Sequence, residues 1–200
     1  MVVNYIWNIE LSETLYPILQ VLEVALRNGT HAAASTAYGT EFWFDQPGVL
    51  LYHQAQEVAD VKAKLIADHK QATAGRIVAQ LMFGFWTRLL NRPYEASFWH
   101  ANNLAILLAA FPSAPRRYRN RLDIWHRVNA IRDLRNRVFH YEPIWDRPTL
   151  TQEHANILQA ISWISTEMRG MVGLCDRFQL VYQVGKTDVE ARIKNHLGIP

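Results

Sequence analysis

Cysteine is almost absent from this 200-residue chain, which contains only Cys175. A single thiol cannot form an internal disulfide, and it excludes zinc sites built from several cysteines. Long apolar runs are also lacking, because the longest one, residues 104–111, is far shorter than the roughly 20 residues that span a bilayer. Residues 1–5 show no basic segment followed by an apolar one, so we expect no signal peptide. These absences favour a cytoplasmic protein with no membrane partner.

What the chain does have is apolar content and unevenly placed charge. Hydrophobic residues make up 50% of the chain and charged residues 20%, which suits one ordinary domain with a sizeable core. The net charge is only +3, but residues 116–137 carry eight arginines against two aspartates, a local charge of +6. Clustered guanidinium groups match phosphate geometry and favour a polyanionic partner, whereas the alternative interpretation is a solvated basic helix face.

Apolar residues recur at helical spacing along most of the chain, and Gly and Pro separate the segments. The pattern predicts an all-α fold, with a helical domain over residues 1–170 and a C-terminal appendage over residues 171–200 that ends in a short helix. The predicted helices cover residues 11–26 (or on to 38 if Gly29 is tolerated), 51–70, 75–90, 99–110, 119–141, 149–168 and 187–198. Residues 178–184 alternate weakly in hydropathy and are predicted to form a short strand or an extended tail.

Two groups of side chains receive a structural interpretation. The aromatic run of residues 42–44 is expected to pack in the core, because aromatic residues this dense in a chain usually do. The scattered histidines, His154 among them, show no paired metal spacing and are expected on the surface. We therefore predict no metal site and no cofactor.

The basic helix predicted over residues 119–141 carries the one group of residues with catalytic potential. On its helical wheel Arg135 falls within the apolar stripe, where a cation needs a partner or a cleft. Asn136 and His140 lie on a second row, and about 140° around the helix axis separates Arg135 from His140. The two are therefore not direct neighbours, although the length of the arginine or fraying of the last turn would bring them to one cleft.

An arginine, an amide and a histidine can support metal-independent cleavage of RNA. In that reaction the 2′-oxygen attacks the adjacent phosphorus and the 5′-oxygen leaves, so it requires proton transfer and a cation on the phosphate. His140 would be the general base or acid, Arg135 the phosphate clamp and Asn136 an orienting polar partner. One histidine cannot easily fill both proton-transfer roles, which favours a symmetric dimer. The competing interpretation is a helix-end histidine held in a hydrogen bond.

Other residues near this group are predicted to contact RNA. Arg127, Arg132 and Arg137 supply further positive charge for the phosphate backbone. Trp125, on the same helix, offers an aromatic face on which a base can stack. Most of the other tryptophans are expected in the core.

The segment Arg135-Asn136-Arg137-Val138-Phe139-His140, followed by Glu142-Pro143-Ile144, resembles the signature of HEPN domains. More narrowly, it resembles the Abi-like abortive-infection proteins of bacterial phage defence. Residues 22–28, 83–86, 99 and 111–112 resemble other parts of that family, so the likeness covers about residues 5–165. The resemblance implies a HEPN-type helical bundle, usually dimeric, with metal-independent endoribonuclease activity at motifs that meet across the dimer interface.

The resemblance also implies roles for single residues. Arg135 and His140 match the catalytic pair, and Asn136 matches the polar residue that follows the arginine. Tyr141 stands where family members often have a second histidine, and Glu142 stands where some HEPN toxins carry a tyrosine that a partner modifies. Both are candidates for shaping the site, and that modification is not expected here.

Glu23, Arg27 and Asn28 match a recurrent cluster on the family's first helix and are candidates for supporting the catalytic residues. The competing interpretation is a surface ion pair between Glu23 and Arg27, four residues apart on a helix, and an amide at the helix end.

Three functions stay open on these grounds. The first is a HEPN endoribonuclease that acts as a toxin on RNA, works as a homodimer and is regulated by an antitoxin or another partner. The second is a non-catalytic module that binds RNA or nucleotides through the same arginine-rich cleft. The third is a dimeric interaction protein in which Arg135 is a buried structural ion.

Overall fold

The computed structural model describes residues 2–100 and 104–198, with the side chain of His100 outside that description. All regular secondary structure in those residues is helical, as the sequence predicts. The α-helices are α1 (Val2–Tyr38), α2 (Tyr52–Ala67), α3 (Ala74–Gln80), α4 (Phe83–Arg88), α5 (Ala105–Ala110), α6 (Arg121–Phe139), α7 (Leu150–Ile164), α8 (Thr166–Val172) and α9 (Phe178–Leu197). Short 3-10 turns lie at Trp43–Asp45 and Arg116–Tyr118, and a π-helical segment lies at Glu95–His100.

The fold is built around α1, a helix of 37 residues. It extends beyond the predicted residues 11–26 at both ends, because buried positions at helical spacing run from Trp7 to Ala34. Gly29 is tolerated inside it, which was the longer of the two predicted alternatives. A Cβ atom on Gly29 would lie 3.0 Å from Cγ2 of Ile164, so glycine permits the close approach of α7.

The helix predicted over residues 75–90 is wrong in one respect, because the structure contains two helices there, α3 and α4. Leu81 and Met82 separate them with extended backbone, at ψ values of 124° and 160°. Leu81 is buried, and its carbonyl accepts the indole N–H of the buried Trp86 at 3.3 Å. The burial of Leu81 and this hydrogen bond therefore stabilise a break that no proline or glycine marks in the sequence.

Three other predicted helices are observed with shifted ends. The helix over residues 51–70 is α2, and the basic helix over residues 119–141 is α6, which ends two residues earlier. The helix over residues 99–110 corresponds to α5, and positions 101–103 lie outside the described residues.

Trp43 and Phe44 lie in the core, as predicted for the aromatic run, while Phe42 stays partly exposed. The ring of Trp43 lies 6.5 Å from that of Trp86 and 5.3 Å from that of Phe98, measured between ring centres. These contacts join the turn after α1 to α4 and to the π-helical segment.

The helix that carries the candidate site, α6, packs against α1, α4 and α7. Its apolar stripe is buried as predicted, through Ile124, Val128, Ile131, Leu134 and Val138. Asn120 caps the helix by accepting the backbone N–H of Asp123 at 2.9 Å. Arg121, in the first turn, is buried and donates to the carbonyl of Leu90 at 2.7 Å and to Glu95 at 3.1 Å. At least one arginine of the basic segment therefore belongs to the core.

The C-terminal residues depart most from the prediction. Residues 178–184 are helical rather than a strand, and they continue into α9. Gly185 has φ 74° and ψ 175°, a conformation that only glycine adopts readily, and it kinks α9 just before the predicted capping box. Phe178 is fully buried and stacks on His154 with the rings 4.3 Å apart, so packing overrides the weak alternation.

His154 is buried, which contradicts its predicted surface position, and its Nε2 lies 2.9 Å from Asp176. The hydrogen bond between this nitrogen and the Asp176 carboxylate explains how the core accepts an imidazole. The helix predicted over residues 149–168 breaks at Ser165, whose hydroxyl accepts the N–H of Met168 and begins α8.

The last helix packs along the first. Arg177 and Arg192 reach Glu13 and Glu10 of α1 at 2.7 Å and 2.6 Å. The division of the chain into a domain and an appendage stays a prediction. Across the described ranges, no helix is both long and apolar enough to cross a membrane.

Candidate functional site

α6 ends at Phe139 with His140 as its C-cap, after which the chain turns in a Schellman motif. The backbone N–H of Tyr141 donates to the carbonyl of Val138 at 3.3 Å, and that of Glu142 donates to the carbonyl of Arg137 at 2.9 Å. Tyr141 takes a left-handed conformation, with φ 60°, that usually belongs to glycine. The turn leaves the side chain of His140 exposed at the helix end.

Asn8 of α1 holds the segment that follows this turn. Its side-chain oxygen accepts the backbone N–H groups of Ile144 and Trp145 at 2.7 Å and 3.3 Å, and its amide donates to the carbonyl of Glu142 at 3.4 Å. Ile144 is fully buried. Hydrogen bonds and apolar packing therefore fix the end of α6 relative to α1, which is the rigidity that a catalytic residue needs.

Arg135 lines an open cavity of about 430 Å³ between α1 and α6, which we call the arginine cavity. Its guanidinium lies 4.0 Å from the centre of the Phe139 ring, and its Nη2 lies 3.6 Å from Oε2 of Glu23. The side chain is 18% exposed. The cation in the apolar stripe thus has an aromatic face, a carboxylate and an opening to solvent. The other lining residues are Tyr16, Gln20, Val24 and Arg27.

Arg27 brings a second guanidinium to the arginine cavity. Its Nη1 donates to the carbonyl of Ala79 on α3 at 3.3 Å. Glu23 pairs with Arg135 of α6, so Glu23 and Arg27 each have a partner from a distant part of the chain. The Nε atoms of Arg27 and Arg135 are buried and have no hydrogen-bond partner among the described residues. The lining of the cavity therefore contains two cations and one carboxylate. This arrangement fits an anion such as a phosphate.

Two of the three predicted catalytic residues lie outside the arginine cavity. Asn136 and His140 are exposed and do not line it. Asn28 is exposed as well, and it too lies outside the lining. Within one chain, Arg135 therefore lines the same cavity as Glu23 and Arg27 of α1, whereas His140 does not.

Arg127 and Trp125, predicted to contact RNA, already have partners in the structure. Arg127 lies 5.3 Å from the centre of the Trp163 ring and donates to the side chain of Asn156. It lines a separate cavity of about 380 Å³. The indole N–H of Trp125 donates to Asn91 at 2.8 Å. Both side chains are half-buried, so any contact with RNA would use only part of each.

Arg132 and Arg137 are half-buried on other sides of α6. Arg132 lies 3.9 Å from Asp133. Arg137 donates to the carbonyl of Pro143 at 2.9 Å and lies 3.5 Å from Glu142, so it supports the turn after the helix. The arginines of α6 therefore serve separate parts of the structure and do not form one continuous basic face.

Tyr16, Gln20 and Phe139 line the arginine cavity but are absent from the predicted site residues. A usable signal exists in the sequence for two of them. Tyr16, Gln20, Glu23 and Arg27 follow one another at intervals of four, three and four, which places them in one row on α1 beside its buried stripe.

No group of three or more His, Cys, Asp or Glu side chains is placed to hold a metal ion in the part of the chain that the structure describes. Comparisons with protein-family models, with curated proteins and with solved structures return no match to this chain. The site is therefore interpreted from its own geometry and chemistry.

Proposed function

We propose that this protein is a metal-independent endoribonuclease of the HEPN type that acts as a homodimer. The observation that carries the proposal is the arginine cavity, whose lining contains the two cations Arg27 and Arg135 and a single carboxylate, that of Glu23. Such a cavity favours a phosphodiester over a neutral ligand. His140 ends the helix that carries Arg135, which supports chemistry at a phosphate bound there.

In the proposed reaction Arg135 binds a non-bridging oxygen of the scissile phosphate while Glu23 orients the guanidinium. His140 takes the proton of the ribose 2′-hydroxyl. The 2′-oxygen forms a bond to phosphorus, the bond from phosphorus to the 5′-oxygen breaks, and that oxygen leaves with a proton from a general acid. The products are a 2′,3′-cyclic phosphate and a free 5′-hydroxyl.

A second subunit supplies what one chain lacks in this mechanism. His140 lies outside the arginine cavity of its own chain, and a single imidazole would have to serve as both base and acid. A symmetric dimer that places two helix ends together gives each phosphate two imidazoles, one for each proton transfer. The exposed position of His140 leaves it accessible for this pairing.

A non-catalytic RNA- or nucleotide-binding module is the second candidate. The position of His140 outside the arginine cavity favours it, because that cavity alone can hold a phosphate without cleaving it. The proposed role in abortive infection and phage defence, including any antitoxin or regulatory partner and a cytoplasmic location, rests on the resemblance of residues 135–140 to the HEPN signature.

Purified wild type and His140→Ala, incubated with RNA in the presence of EDTA, separate the two candidates. We expect wild type to cleave the RNA and the variant to cleave at least about a hundredfold more slowly while it binds RNA equally well. Equal cleavage by both proteins, or none by either, would exclude the ribonuclease. RNA binding by both without cleavage would establish the binding module.

A further inference from the structure

Tyr141 has an exposed ring and a backbone conformation that tyrosine rarely adopts. Its φ of 60° lies in the left-handed region, where glycine would sit without strain. The side chain is 84% exposed, so burial does not compensate for that strain. Fold stability therefore gives no reason for a tyrosine at this turn, and strained residues of this kind cluster at functional sites.

The ring forms one wall of a second open cavity, of about 400 Å³, which we call the tyrosine cavity. Tyr5 and Tyr16 contribute two further rings, and Ile9 adds an apolar side chain. Ser12 and Glu13 bring a hydroxyl and a carboxylate to the same lining. The volume is that of a small-ligand site, with mainly aromatic walls and a few polar groups.

The tyrosine cavity adjoins the arginine cavity, because Tyr16 lines both. The edge of Tyr16 meets Phe139 with the rings 5.0 Å apart, and Phe139 carries the guanidinium of Arg135 on its face at 4.0 Å. Phe139, His140 and Tyr141 follow one another in the chain. A phosphate at Arg135 and a flat ring against Tyr141 would therefore lie on either side of Tyr16.

We propose that the tyrosine cavity binds one nucleobase of single-stranded RNA, with Tyr141 as its main stacking residue. The inference rests on the proposed function, since it places the base beside the phosphate held at Arg135. Aromatic faces accept any base, so the cavity anchors the strand and discriminates weakly between sequences. A second copy of the chain could also cover exposed rings, but the polar groups of Ser12 and Glu13 suit the edge of a base better than an apolar subunit contact.

Tyr141→Gly tests the role of the aromatic ring without changing the backbone, because glycine keeps the left-handed conformation and has no side chain. Full-length wild type, Tyr141→Gly and Tyr141→Phe are titrated with a fluorescent single-stranded 2′-O-methyl oligoribonucleotide, whose blocked 2′-oxygen cannot attack phosphorus. Tyr52→Ala, which removes a 77% exposed tyrosine at the start of α2, is the matched control. Melting temperatures and sedimentation coefficients are measured on the same samples.

We expect Tyr141→Gly to bind the probe about tenfold more weakly than wild type, and Tyr141→Phe and Tyr52→Ala to stay within about threefold of it. The melting temperature of Tyr141→Gly should equal or exceed that of wild type, because strain is relieved. Unchanged affinity for Tyr141→Gly would overturn the proposal. A lower sedimentation coefficient for this variant would overturn it too, because Tyr141 would then belong to a subunit interface.

Arg135→Met in the same titration separates this proposal from the proposed function. If Arg135→Met weakens binding and Tyr141→Gly does not, the phosphate site stands and the nucleobase subsite fails. If wild type itself does not bind the probe, the proposed function fails and the subsite fails with it.

Discussion

Arg121 and Arg135 lie on the same helix and are held in different ways. Arg121 is 8% exposed, and it donates to a backbone carbonyl and to Glu95. Arg135 rests on Phe139 beside Glu23, and the Nε atom of each of the two arginines has no hydrogen-bond partner among the described residues. Both Nη groups of Arg121 are hydrogen-bonded in the core, whereas the guanidinium of Arg135 lines an open cavity with Glu23 3.6 Å away.

Arg135→Met and Arg121→Met test that difference. Methionine keeps most of the aliphatic stem, so we expect Arg135→Met to change the free energy of unfolding by less than about 1 kcal/mol. Arg121→Met leaves the carbonyl of Leu90 without its donor and should lower the free energy of unfolding by about 2 kcal/mol. Urea denaturation compares the two. A larger loss for Arg135→Met would identify Arg135 as a structural ion.

His31 is expected to make stability depend on pH. Its Nδ1 accepts the indole N–H of the fully buried Trp43 at 3.0 Å, and burial lowers its pKa below the ordinary 6.5 while Glu41 opposes the shift. As the pH falls, the unfolded chain therefore takes up this proton first. The stabilisation is complete above about pH 6.5 and is lost as the pH falls from there to the lowered folded pKa.

We therefore expect the melting temperature to fall between about pH 7 and pH 5, and we expect His31→Gln to lose part of that fall. The glutamine amide oxygen can still accept from Trp43, so the fold is retained. Thermal unfolding of both proteins across this range measures the difference. If the two curves run parallel, His31 does not contribute to the pH dependence.

Among the helices, α9 depends on one glycine for its kink. Gly185 has φ 74° and ψ 175°, whereas Gly170 lies inside α8 with open space where a Cβ atom would sit. Gly185→Ala should lower the free energy of unfolding by about 1–3 kcal/mol, because an L-residue is strained there. Gly170→Ala should raise it by about 0.5–1 kcal/mol through helix propensity. Chemical denaturation should give opposite signs, and a stabilising Gly185→Ala would show that α9 tolerates a straight form.

Helical spacing predicted α1, α6 and α7 because each of these helices buries a continuous apolar row. Breaks and junctions were harder to predict. No proline or glycine marks Leu81 and Met82 as the end of a helix, and the burial of Leu81 in the folded protein cannot be seen in the local sequence. Residues 178–184 alternate weakly, but the packing of Phe178 on His154 makes that segment helical.

The candidate site, too, could be predicted from the sequence only in part. Local spacing placed Arg135 in an apolar stripe and required a partner or a cleft for it, and the structure contains both. The cavity itself comes from the packing of α1 on α6, which joins Tyr16 and Glu23 to a distant part of the chain. No local pattern encodes that packing, and Glu23 became a candidate only through the HEPN resemblance.

In the molecule as a whole, both cavities that we assign to RNA lie where α1 meets the end of α6. The net charge of +3 is modest, and several arginines of the basic segment are occupied within the fold. We therefore expect RNA to bind locally at this end of α6, and a dimer that joins two such ends would unite two half-sites.

Cleavage of a labelled RNA in EDTA by wild type and Arg135→Met measures the proposed activity most directly. We predict 2′,3′-cyclic phosphate ends on the wild-type products, at least about hundredfold slower cleavage by Arg135→Met, and no cut at the linkage on the 3′ side of a 2′-deoxy nucleotide. Lys64→Ala, which removes an exposed charge on α2, should cleave like wild type. Cleavage at the linkage on the 3′ side of the deoxy nucleotide, or equal rates for wild type and Arg135→Met, would contradict the mechanism.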